Sequence, residues 1–298
     1  MTSSAPVAEL VDVARTVARE AGALVHEGRP DRPEVAATKT SAVDVVTAMD
    51  LASEELVRAR LAELRPADGV LGEEGGHRPG TSGVTWVVDP IDGTVNYLYG
   101  IDAWAVSVAA VVDDVATAEG RAPDPATWRV LAGCVHSPAD GRTFTAGAGA
   151  GAHLGERRLA LPPSAPLDRC LVGTGFGYVA ARRRAQARVL AELLPRVRDI
   201  RRIGSAALDL CGVAQGRLDL YYERGLQPWD MAAASLVVQE AGGTVTGLRG
   251  RPAGPAMTVA GPAARVAELV ALLEHLDADG PEPEAAAGAS SQVTGAPG

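Results

Sequence analysis

Residues 86–99 read WVVDPIDGTVNYLY. An apolar run, Trp86-Val87-Val88, ends in two aspartates three positions apart, Asp89 and Asp92, and Gly93-Thr94 follows at once. On a continuous strand, positions i and i+3 point to opposite faces, so two such carboxylates cannot serve one ligand. Pro90 cannot donate to a ladder and Gly93 admits backbone angles closed to other residues, so both interrupt the strand. A turn between them brings the two carboxylates, together with the Ile91 carbonyl, to one point. Three converging oxygens suit a hard divalent cation such as Mg²⁺. The same residue types favour turns on their own account, so the pentapeptide by itself leaves both readings open.

Other acidic residues stand in comparable places. Upstream, VLGEEGG at 70–76 sets Glu73-Glu74 in a glycine-flanked loop after a short apolar segment. Downstream, Pro228-Trp229-Asp230 puts an aspartate at the start of the segment MAAASLVVQEAGG, where a helix N-cap is the competing reading, worth about 1 kcal/mol. These carboxylates end apolar elements with no cationic partner nearby in sequence, and buried carboxylates must be paired or bind metal. Gly93-Thr94 and Ile203-Gly204-Ser205-Ala206 place small residues where backbone N–H groups can approach an anion, and Ser205-Ala206 opens a helix whose amino terminus is partly positive. Metal and amides together point to a phosphate. There is no P-loop, and Gly173-Thr174-Gly175-Phe176-Gly177 lacks the third glycine of a dinucleotide fingerprint, so it reads as a strand end.

The rest of the chain narrows the class. At 298 residues and 47% hydrophobic content it can bury a large core in one or two domains. The longest apolar stretches, such as WAVSVAAVV at 104–112, fall short of the ~20 residues that span a bilayer. The first residues lack the pattern of a secretory signal, so a cytoplasmic protein without a membrane partner is expected. Cys134, Cys170 and Cys211 are too widely spaced for a disulfide framework or a zinc site. A net charge of −9 disfavours nucleic acid as a partner. Arg182-Arg183-Arg184 lies in an amphipathic segment and reads as a solvated helix face. Lys39 is the single lysine beside 27 arginines, which suits either chance or a site wanting a compact charge. The five histidines sit outside the motifs and receive no catalytic role.

Periodicity predicts helices at 8–25 and 51–64, the latter with Asp50 as N-cap, and a strand at 41–47 between them. Strands follow at 103–112, 129–136 and 142–147, the first two forming a hairpin across a long polar loop, 113–128. The second half carries strands at 169–174, 218–222 and 256–260, the arginine-rich helix, and helices at 205–214, 231–241 and 263–276. Residues 279–298 lack a core-forming composition and read as a disordered tail. The expected organisation is an N-terminal α+β half, 1–158, and a C-terminal α/β half, 159–278.

With these residues in view, GEE at 72–74, WVVDPIDGTVNY at 86–97 and WDMAAASLVVQEAGG at 229–243 look like the three metal-site motifs of the inositol monophosphatase family. RRIGSAALDLCGVAQGRLDLYYERG at 201–225 is similar to the segment that joins them, and the likeness runs from about residue 8 to 276. Within the family it is the bacterial inositol-1-monophosphatases that the chain resembles most. The resemblance implies an α+β fold, the α-β-α-β-α layered sandwich of the inositol monophosphatase and fructose-1,6-bisphosphatase type. It also implies a homodimeric, lithium-sensitive, Mg²⁺-dependent phosphomonoesterase that hydrolyses inositol 1-phosphate, a small phosphorylated polyol.

Carried over residue by residue, Glu73, Asp89 and the Ile91 carbonyl hold one metal; Asp89, Asp92 and Asp230 hold a second; and Glu73 touches a third, weaker site. Thr94, oriented by Asp50, positions the attacking water, and Lys39 stands near the phosphate. The amides of Gly93, Thr94 and Ala206 bind phosphate oxygens, while Asp92 and Glu223 accept from substrate hydroxyls. Relatives that act on histidinol phosphate, fructose 1,6-bisphosphate or nucleotide 3′-phosphates, or that serve a transcription complex, stay open as alternatives. Two departures are visible: the 113–128 loop is longer than is usual in the family, and Gln227 stands where some members carry histidine.

Overall fold

Trp86 and Val88 turn to one side of their strand and Val87 to the other, and each side meets a different helical layer. The computed structural model describes residues 6–29, 35–38 and 45–281; Lys39, 41–44 and 282–298 therefore lie outside the described residues. In chain order the first half runs α1 (Val7–Glu27), β1 (Val35–Thr38), β2 (Val45–Thr47), α2 (Ala48–Leu64), β3 (Gly69–Gly72), β4 (Gly76–Arg78), β5 (Val84–Asp92), α3 (Thr94–Tyr99), β6 (Ala105–Val112), α4 (Asp114–Glu119), β7 (Arg129–Ser137), β8 (Arg142–Gly147), β9 (Gly151–Leu154) and β10 (Arg157–Arg158). The second continues with β11 (Leu171–Thr174), α5 (Ala180–Leu193), β12 (Asp199–Arg201), α6 (Ala206–Gln215), β13 (Leu220–Glu223), α7 (Pro228–Glu240), β14 (Thr244–Thr246), β15 (Thr258–Gly261) and α8 (Ala263–His275).

The first half forms an eight-stranded sheet, β10-β9-β8-β7-β6-β5-β3-β4, and the second a five-stranded sheet, β12-β11-β13-β15-β14. Both are mixed: β5 runs parallel to β3 and antiparallel to β6, while β11 runs parallel to β12 and β13. Helices α1 and α2 cover the outer face of the large sheet, burying Leu10, Val17, Val57 and Leu61 against Trp86, Val88, Val106 and Val108. Helices α6 and α7 fill the space between the sheets, where Leu210, Val213, Ala233 and Val237 meet Val87, Ala109, Val111 and Tyr221. A helix buried all round must be apolar all round, and Ala232-Ala233-Ala234 and Leu236-Val237-Val238 satisfy that in α7. Helices α5 and α8 close the outside of the small sheet through Val189, Leu193, Leu269 and Leu273. The layers are α-β-α-β-α, as the resemblance implied.

Several local expectations change. Helix α2 starts at Ala48, earlier than periodicity suggested, because Thr47 is its N-cap and Asp50 is the N3 partner of a capping box, accepting from the Thr47 N–H at 2.7 Å. Helix α7 repeats this arrangement, with Gln227 at the N-cap, Pro228 in the first turn and Asp230 at N3. The 113–128 stretch is not all loop: Asp113 caps α4 by accepting from the Ala116 N–H and also holds the Asp124 N–H and the Thr127 hydroxyl. The short strands β9, β10, β12 and β14 escaped the sequence reading. At the chain's far end Asp279 pairs with Arg249 and Arg251, and the Gly280 carbonyl accepts from Arg224 at 2.7 Å, so these first residues of the expected tail are held in place.

Close approach of α7 to the large sheet depends on Gly133 in β7, where a Cβ would stand 2.8 Å from the Ala233 Cα. Gly133→Ala is therefore expected to destabilise the fold by about 1–3 kcal/mol, read by chemical denaturation. An unchanged midpoint would show that α7 can slide away from the sheet freely.

Candidate active site

The two aspartates of the opening stretch meet without a break in their strand. Opposite β6, Asp89 pairs with Ser107 and Asp92 with Ala105, so three residue steps on β5 face two on β6. That extra residue is a β-bulge, and it turns an i, i+3 pair into one that projects from the same face. The expected strand-ending turn is thus corrected to a bulge inside a strand that continues to Asp92. Gly93 follows at φ +100° as the N-cap of α3; a Cβ there would lie 2.9 Å from the Ala103 carbonyl oxygen.

Carboxylate oxygens of Asp89, Asp92 and Asp230 lie within 4.8 Å of one another. Asp89 and Asp92 are buried, and none of the three has an ion-pair partner among the described residues. Burial, and then the charges of Glu73, Asp92 and Asp230, push the Asp89 carboxyl well above its ordinary range. Burial, followed by the charges of Glu73 and Asp92, does the same to Asp230. The Glu73 carboxyl stands close enough to Asp89 to add to that rise. Clustered carboxylates with no counter-charge are costly, and an all-oxygen donor set of this size fits a hard dication.

Asp92 has a second attachment. It accepts from the Ser205 hydroxyl at 2.5 Å, the Ala207 N–H at 2.7 Å and the Ala206 N–H at 3.3 Å, so it binds the amino terminus of α6. These bonds oppose burial, which raises its carboxyl to about 6. The Ala206 amide, expected to face a phosphate oxygen, is directed at Asp92 here.

Thr94 Oγ1 lies 3.1 Å from Asp50 Oδ1 and 3.0 Å from the Ile91 carbonyl oxygen. Its single proton serves one of them at a time, and its lone pairs remain available to a water. Asp50 is buried and also holds the Thr47 hydroxyl at 2.6 Å, which fixes its orientation. The turn carrying Glu73 is fixed from α2: Glu54 accepts from the Glu74 and Gly75 N–H groups at 2.7 and 2.8 Å and pairs with Arg58.

Glu73, Asp89, Ile91, Asp92, Gly93, Thr94 and Asp230 line a cavity of about 530 Å³. Gly175, Phe176, Gly177, Arg182, Arg202, Asp209, Glu223, Arg224 and Gln227 line the same cavity. Glu223 accepts from the Tyr221 hydroxyl at 2.5 Å, and burial pushes its carboxyl up to about 7. Burial, and the charge of Glu223, raise Asp209 to about 9. Glu73, Asp89, Ile91, Asp92, Gly93, Thr94, Ala206, Glu223 and Asp230 therefore all line one cavity, and Asp50 backs it through Thr94. Lys39 lies outside the described residues. Sequence reasoning missed Glu54, Asp209, Tyr221 and the whole 175–182 wall. The glycines of 173–177 were the available signal for that wall, and Arg182 lay in a stretch read as a solvated face.

The chain matches the inositol monophosphatase family model over residues 7–277. It is 46% identical over 288 residues to an inositol-1-monophosphatase of Mycobacterium leprae, covering 89% of this chain and 93% of that one. It is 36% identical over 243 residues to a protein of Pasteurella multocida named Nus factor SuhB, covering 81% and 86% of the two. The solved structure of Mycobacterium tuberculosis SuhB superposes with a TM-score of 0.73 at 42% identity, covering 91% of this chain and 98% of that one. Fold, cavity and sequence agree: the chain belongs to the inositol monophosphatase family.

Proposed function

We propose that the chain is a Mg²⁺-dependent phosphomonoesterase that hydrolyses inositol 1-phosphate, working as a homodimer. The observation that carries this is a single cavity lined both by the clustered carboxylates and by Glu223, a lone-pair acceptor for hydroxyls. In this reading Glu73, Asp89, Asp92, Asp230 and the Ile91 carbonyl hold the metal. When bound, Mg²⁺ supplies neutralisation of phosphate charge and activation of water, the two needs of a reaction whose uncatalysed rate calls for accelerations of up to ~10²¹. Thr94 Oγ1 accepts from the attacking water while its own proton rests on Asp50. The Gly93 and Thr94 amides receive phosphate oxygens. Glu223, oriented by Tyr221, accepts from a hydroxyl of the polyol.

A second reading rests on the relative named Nus factor SuhB: the chain also serves a transcription complex. The assembled acidic set argues that this role would be additional to catalysis.

The deciding experiment is phosphate release from inositol 1-phosphate, histidinol phosphate, fructose 1,6-bisphosphate and 3′-phosphoadenosine 5′-phosphate, with Mg²⁺ and with EDTA. Inositol 1-phosphate is expected to be preferred, with activity lost in EDTA. Preference for another substrate would overturn the use of Glu223, and silence on all four would put the transcription reading first.

Asp92→Asn keeps one acceptor for α6 and removes a charge from the metal cluster. It is expected to lower kcat by about 10³-fold or more while circular dichroism stays unchanged; retained turnover would sink the metal assignment. Glu223→Gln should raise KM for inositol 1-phosphate about tenfold and affect an aryl phosphate less, and equal effects would refute the polyol contact.

Glu223 and Asp209 have folded-state values raised to about 7 and about 9, above the ordinary carboxylate range. Folding therefore favours their protonated forms. Their stabilising contribution is complete below the unfolded values and is lost as pH rises through the folded ones. Metal-free protein is thus expected to lose thermal stability between about pH 5 and pH 9, with Mg²⁺ restoring part of it at the alkaline end. A melting temperature that rises steadily over this window in EDTA would contradict the burial assigned to these carboxyls.

A further inference from the structure

The stretch Gly175-Phe176-Gly177 leaves the end of β11 toward α5 and lines the cavity. Gly175 does not have a positive φ, so its backbone would accept any L-residue. Space is what demands glycine there: a Cβ built on Gly175 would overlap all three carboxyl atoms of Glu223. The Glu223 carboxylate thus lies directly on the Gly175 backbone, with the Tyr221 hydroxyl as its hydrogen-bond donor.

The wall is tied down from α5. Gln186 Oε1 accepts from the Gly177 N–H at 3.0 Å, and its Nε2 donates to the Gly175 carbonyl and to the Arg224 carbonyl, each at 3.4 Å. One amide therefore connects the segment under Glu223 to the residue that follows Glu223 in sequence. β11 and β13 pair as far as Thr174 and Tyr222, and this amide carries the connection past the end of the ladder to Gly175, Gly177 and Arg224.

We propose that Gly175 and Gln186 together determine leaving-group specificity: the absent side chain at 175 forms the seat of the Glu223 carboxylate, and the Gln186 amide clips that seat to the Glu223-Arg224 backbone. Gln186 is a positioning residue that acts through Gly175 and Arg224. The inference rests on the polyol reading of Glu223 for its kinetic consequence, but the seat itself is a packing statement.

The test has two arms. In the first, melting temperatures without substrate are compared for wild type, Gly175→Ala, Glu223→Ala and the double variant. Gly175→Ala is expected to lower the melting temperature, and the same change in the Glu223→Ala background, where the overlapping carboxyl is gone, is expected to cost little or nothing. Equal costs in both backgrounds would overturn the seat. In the second arm, Gln186→Ala is expected to raise KM for inositol 1-phosphate by about tenfold, the worth of one or two hydrogen bonds, with kcat nearly constant and KM for phenyl phosphate raised less. A kcat loss shared by both substrates, or no change on either, would overturn the clip. If wild type ignores inositol 1-phosphate, the proposed substrate falls, and the melting-temperature cycle still decides the seat.

Discussion

Mutual repulsion among buried carboxylates is the constraint around which this molecule is arranged. Asp89, Asp92 and Asp230 approach within 4.8 Å with no ion-pair partner among the described residues. Such a cluster lasts only if the surrounding structure forces it, because each member would be better solvated elsewhere. Two different elements do the forcing. The bulge in β5 turns Asp92 to the side of Asp89, and the capping box of α7 fixes Asp230 through the Gln227 N–H. Neither element can relax alone, since β5 is flanked by strands on both sides and α7 is enclosed by the two sheets.

The middle layer is what joins the chemistry to the fold. Helices α6 and α7 both begin at the cavity, so two amino-terminal dipoles contribute positive potential to it. Part of that positive potential is already used: Ser205, Ala206 and Ala207 satisfy Asp92. An anion arriving at the cavity therefore meets a helix terminus partly neutralised by the protein's own carboxylate. Arg182, Arg202 and Arg224 line the same cavity, so it offers an arriving anion cationic side chains as well as the helix terminus.

Much of this was legible in the sequence, and the exceptions have physical reasons. The layered α+β architecture follows from alternating apolar runs, and the acidic residues announced themselves by ending those runs. Asp50 was read as an N-cap, and an N-cap was the competing reading for Asp230; each sits three residues further in, because an acidic residue serves at either end of a capping box and periodicity alone does not say which. The bulge between Asp89 and Asp92 was read as a turn because Pro and Gly signal interruption without saying how much of the ladder survives. β12 and β14 contain three residues each, too few to show a period. Glu54 was invisible for a different reason: on an amphipathic helix it resembles any surface glutamate, and only the fold reveals the two amides it holds.

The shared middle layer also bears on how the chain comes together. Val87, Ala109, Val111 and Val135 on the inner face of the large sheet are covered by α6 and α7, which are contributed by residues 206–240. During synthesis the strands of that sheet are complete about fifty residues before its cover begins to emerge, counting from the end of β10 at 158 to the start of α6 at 206. The nascent amino-terminal half therefore presents a bare hydrophobic sheet, the kind of surface that chaperones bind and that self-associates when exposed. The halves are successive in sequence but not in folding, and the second acts as the lid under which the first becomes a finished structure.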